Sequence, residues 1–102
     1  MTIFVDQLEA WGWILRGRAV RSCHMFTDSL DIEDLHLFAE RIGMKRHWFQ
    51  DHQVAPHYDL TKSRRDHALL LGAVSVDRRT ASGIWRARRE AIAAKSDDAT
   101  LI

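Results

Sequence analysis

The stretch from Ser29 to Gly43 limits the fold most. Ile32, Leu35, Phe38, Ala39 and Ile42 recur at three- and four-residue intervals and make one apolar stripe of a helix. Acids crowd its first turn, Ser29 or Asp31 stands where a cap is needed, and Gly43 closes it. Runs of strand character lie on both sides. Thr2 to Val5 is short and β-rich, with Asp6 at its C-terminal end. Ser22 to Asp28 alternates, so Cys23, Met25 and Thr27 point one way and Ser22, His24, Phe26 and Asp28 the other. A helix this well marked between strands calls for a layered α/β arrangement.

The second half repeats the alternation. Met44 to Gln50 is basic and aromatic and reads as a short strand or a 3₁₀ turn, followed by loop to Ala55. Pro56 then leads through His57, Tyr58 and Asp59 to a helix expected over 61–71, with Gly72 as its stop. Ala73 to Val76 reads as a strand, and Thr80 as the cap of a last helix over 81–95. In that helix Ile84, Ala87, Ala91 and Ile92 are expected inward, Arg86, Arg89 and Lys95 outward, with Trp85 and Arg88 flanking. Residues 7–20 hold Trp11, Trp13, Gly12 and Gly17 and read as an ordered aromatic loop, a lid in the functional reading. The expectation is a small single α/β domain over 1–95, with a sheet of three to four strands against two to three helices. A frayed tail is expected over 96–102.

The 102 residues carry a net charge of +1, but residues 1–44 balance at −3 and residues 45–95 at +6. The second half therefore offers itself to an anion. One cysteine, Cys23, excludes an internal disulfide and fits a reducing cytoplasm. The N-terminus has no signal-peptide pattern, and no apolar run is long enough to span a bilayer, so no membrane partner is expected.

Ligands in α/β sheets gather beyond the carboxyl ends of strands. Asp6 and Asp28 stand at such ends, and His57 and Asp59 precede a helix. The first reading is a polar pocket for a phosphorylated small molecule or nucleotide, able to hydrolyse it. His57, Asp59 and His24 are its acid–base groups. Asp6, Asp28, Trp48, Tyr58, Thr61, Arg64 and Arg65 are its ligand-binding residues, the arginines and the helix start serving the anion and the aromatics a base. This pocket requires no cofactor and no metal. The second reading is a hydrolase in which His24, Asp28, His57 and Asp59 hold a divalent cation. The third is a nucleic-acid or protein-binding module using Arg78, Arg79, Arg86, Arg88, Arg89 and Lys95.

A resemblance adds to this. Val5-Asp6, Ser22-Cys23-His24 with Thr27-Asp28, Leu35-His36-Leu37-Phe38-Ala39, Trp48-Phe49-Gln50, His57-Tyr58-Asp59-Leu60 and Gly72-Ala73-Val74 span nearly the whole chain. Together they resemble a family of small proteins from bacteria and tailed phages known as domain of unknown function 4031. The resemblance implies these boundaries and a phage or bacterial cytoplasmic setting. It implies no chemistry.

Overall fold

The computed structural model describes the backbone of residues 2–100 and the side chains of residues 2–95. Strands β1 (Ile3–Val5), β4 (Ser22–Thr27), β5 (Tyr58–Thr61) and β6 (Val74–Ser75) form one mixed sheet in the order β5-β4-β1-β6. β4 is antiparallel to both β1 and β5, and β6 runs parallel to β1. β2 (Ile14–Leu15) and β3 (Arg18–Ala19) make a separate hairpin. Helices α1 (Glu33–Arg41), α2 (Lys62–Leu70) and α3 (Arg78–Thr100) complete the α/β fold.

The two faces of the sheet bury different side chains. Val5, Cys23, Met25, Tyr58 and Leu60 point to one face and pack with Leu35 and Ala39 of α1 and Ala68 of α2. Phe4 and Phe26 point to the other face and pack with Ala81, Ile84 and Trp85 of α3. The sheet is thus sandwiched between α1 and α2 on one side and α3 on the other. Alternation along β4 is as the sequence predicts, because both faces exclude water and strand side chains have a period of two.

Several expectations need correction. Residues 58–61 were expected as a turn and helix start, but they form β5, with Tyr58 and Leu60 buried. Pairing of Cys23 with Leu60 and of His24 with Asp59 holds them extended, and α2 begins one residue later. The aromatic loop contains the β2–β3 hairpin. Its central residues, Arg16 at φ 53° and Gly17 at φ 76°, turn the chain in the left-handed region. α3 starts at Arg78, capped by Asp77 Oδ1, which accepts from Thr80 N–H at 2.8 Å. It runs to Thr100, beyond the expected end at residue 95; of the tail expected over 96–102, residues 101 and 102 lie outside the described residues. Its covered stripe is Ala81, Ile84, Trp85, Arg88 and Ile92, while Ala87 and Ala91 are exposed. The stripe is shifted because Arg88 turns inward to backbone carbonyls.

Candidate functional site

The same alternation that sends Cys23 and Met25 into the core sends His24 to the α3 face. Asp59 is its direct neighbour across the β4–β5 ladder. Asp6, one residue beyond β1, falls on that face as well, two residues after Phe4. His57 enters just before β5, where it bridges to Gln50. Three separate segments thus deliver two imidazoles and two carboxylates to one place.

Their hydrogen bonds fix both rings. The Asp6 carboxylate accepts from His24 N–H at 2.6 Å and lies 2.7 Å from His24 Nδ1. An ionised carboxylate only accepts, so the His24 proton sits on Nδ1. His57 Nδ1 lies 2.7 Å from the Ala55 carbonyl oxygen, which also only accepts. Both Nε2 atoms are therefore left with a lone pair when the rings are neutral. Both face Asp59 Oδ1, His57 at 3.5 Å and His24 at 3.9 Å. The three donor atoms lie within 4.8 Å of one another. Three lone-pair atoms this close repel unless a proton or a cation lies between them.

The titration of the pair follows. Burial works against the charged form of His57, but Asp59, the Ala55 carbonyl and Asp6 outweigh it, and the His57 pKa is raised. Asp59 is held below its usual value by its contact with His57, against a smaller opposing effect of burial. Asp59 gives stability above its ordinary value of 3.8, lost as pH falls through the folded value. His57 gives stability below its ordinary 6.5, lost as pH rises through the folded value. In chelator-treated protein, the gap in unfolding midpoint between wild type and His57→Gln is therefore widest from about pH 4 to about pH 6.5. A gap that widens instead at alkaline pH contradicts this pairing.

His24 and His57 line a cleft of about 520 Å³. Trp11 and Trp85 form its aromatic walls, with ring centroids 4.9 and 6.1 Å from that of His24. Arg78 is also in the wall, paired with Glu9 at 2.6 Å and lying over the Trp11 ring. Among the described residues the buried indole Nε1–H of Trp85 has no hydrogen-bond partner.

The other expected residues lie elsewhere. Asp28 is four residues beyond His24, roughly 13 Å along the strand, and accepts from Thr2 N–H at 3.0 Å. Tyr58 is fully buried on the opposite face, its hydroxyl 2.7 Å from His36 Nδ1, so it cannot stack on a ligand. Arg64 donates to the Ile42 carbonyl at 2.6 Å and lies over Trp48 in the 3₁₀ turn Arg46–Trp48. Arg65 donates to the Asp6 carbonyl and to Ser75 Oγ, both at 2.9 Å. Thr61 stands at the end of β5 away from His57, and its hydroxyl meets Ser63. Both arginines spend these donors on the fold and lie outside the lining of the cleft around His24 and His57. Burial pushes the Cys23 thiol up to about 12, with Asp6 adding to the effect, so it stays protonated and inert. On α3, Arg88 is buried, while Arg86 and Arg89 are exposed.

The sequence profile of a family described as protein of unknown function, DUF4031, matches residues 3–88. The chain belongs to that family. The match takes in Asp6, His24, His57, Asp59 and every strand that positions them. No curated protein and no solved structure matches the chain. Among the described residues no helix is long and apolar enough to cross a membrane.

Sequence reasoning missed Glu9 and the role of Trp85 in the cleft, and named Arg78 only for a basic helix surface. The only signal for Trp85 was its position four residues after Ala81, on the stripe that faces the sheet.

Proposed function

We propose that His24, His57 and Asp59 hold a divalent cation and that the adjoining cleft hydrolyses a small phosphorylated molecule. The observation that carries this is the convergence of two Nε2 lone pairs on one carboxylate oxygen, with each opposite ring nitrogen already anchored. Histidines that ligate metals have this pattern, the second nitrogen donating to a carboxylate or carbonyl that sets the tautomer. Two nitrogens and one oxygen leave coordination positions for water and substrate, as in catalytic rather than structural sites.

A divalent cation in such a setting polarises a phosphoryl oxygen and activates water. The chain's own residues do the rest. Asp6 fixes the His24 ring. Trp11 and Trp85 offer flat surfaces to a base. Arg78 is the guanidinium within the cleft, available to a phosphate where its pairing with Glu9 opens. The earlier anion donors, Arg64 and Arg65, have no part in this reading. A cytoplasmic, phage or bacterial accessory role fits the buried, unpaired Cys23 and the family, and forms part of the proposal.

The test is turnover. Metal-free protein loaded with zinc or manganese should release phosphate from one or more members of a panel of nucleotides and phosphomonoesters. The rate should vanish on chelation. Absence of cation binding overturns the reading outright.

A further inference from the structure

A second cavity, of about 460 Å³, lies beside the first, and His52 lines both. Its wall includes Arg88, a residue only 6% exposed. Burying a guanidinium is costly unless an anion or a full set of acceptors meets it. Arg88 has neither. Its three hydrogen bonds run to the carbonyls of Ser29, Val54 and Leu30 at 3.3, 3.3 and 3.5 Å, long for such contacts. Five N–H donors are available and three are used. Among the described residues no carboxylate pairs with it.

The rest of the wall favours negative charge. Lys95 lies on it. His52 Nδ1 accepts from the backbone N–H groups of Val54 and Ala55, at 3.2 and 3.0 Å, so its proton sits on Nε2 as a donor. Among the described residues Asp51 is the one carboxylate in the wall, opposed by two cations and that donor. Leu30 and Ile92 supply apolar surface, which strengthens any charge contact made there.

We infer that this cavity binds an oxyanion of the phosphate class, with Arg88 as its anchor. The site is separate from the His24–His57–Asp59 cluster and stands whether or not that cluster takes a cation.

Inorganic phosphate is the probe, titrated calorimetrically into chelator-treated protein, with chloride at equal ionic strength as control. Saturable binding is expected in wild type and in His57→Ala. It should weaken several-fold in Lys95→Glu, whose exposed position spares the fold, and be lost in Arg88→Met. Should Arg88→Met not fold, Lys95→Glu decides. No binding beyond the chloride control, or equal affinity in Lys95→Glu, overturns the inference. Adenosine monophosphate as a parallel titrant identifies the source. Tighter binding than phosphate that weakens in Lys95→Glu assigns the cavity to a phosphorylated metabolite, and equal binding that weakens likewise assigns it to free phosphate; binding of either that Lys95→Glu leaves unchanged overturns the inference.

Discussion

Replacing His57 by alanine is expected to lower the affinity for zinc or manganese by no less than the roughly 10–100-fold that loss of an orienting partner costs, and His24→Ala should do the same. Removing a partner that merely orients a metal-bound histidine already costs about 10–100-fold. Removing one of three donor atoms costs no less. Asp6→Asn tests the orienting role, since the amide keeps the shape but no longer pins the Nδ1–H as a carboxylate does. It should lose about 10–100-fold. Asp28→Asn serves as the control, because Asp28 holds the start of β1 and not the cluster. Calorimetric titration of chelator-treated protein reads all four. Unchanged affinity in His57→Ala, with the fold confirmed by circular dichroism, would falsify the assignment.

The second large effect concerns stability. Tyr58→Ala should cost about 3–5 kcal/mol, the range for emptying a large buried aromatic site. Tyr58 is among the largest fully buried side chains and packs with Phe49 and His36. Native domains are stable by only about 5–15 kcal/mol in total, so this variant stands at the edge of folding. Tyr58→Phe separates packing from polarity. It retains the ring and leaves buried His36 Nδ1 without its partner, at about 1–3 kcal/mol. Neither the hydroxyl nor the ring faces the cleft, so Tyr58→Phe should bind metal like wild type. Denaturant unfolding and the same titration check both parts. A Tyr58→Phe protein of normal stability but impaired metal binding would return Tyr58 to the site.

These two residues show what the sequence reveals and what it hides. Tyr58 and Asp59 are adjacent, and one lies in the core while the other faces the cleft. Alternation separates them only once β5 is recognised as a strand. The four-residue segment sits between a proline and a strong helix signal, and what makes it a strand is its ladder with β4, a contact between residues about 35 apart. By contrast α1 was plain, because its stripe, acids and glycine are all local. β4 was plain because Cys23 and Met25 alternate with Ser22 and His24 in a run of strand-forming residues. His24, His57, Asp59 and Asp6 were named from chemistry alone, and the register brings them together. Arg64 and Arg65 were expected in the pocket and lie outside the cleft for one reason. Their acceptors are backbone carbonyls, and no side-chain pattern records where a carbonyl will lie.

One strand serves both halves of the molecule. Cys23 and Met25 of β4 fill the interior, and His24 between them serves the cleft. An insertion or deletion of a single residue within β4 would rotate every later side chain by half a turn, driving an imidazole among hydrocarbons and a thioether into the polar opening. Length variation among descendants of this chain should therefore be absent from β4 and collect in the tip of the β2–β3 hairpin, where Arg16 and Gly17 answer to no neighbouring layer.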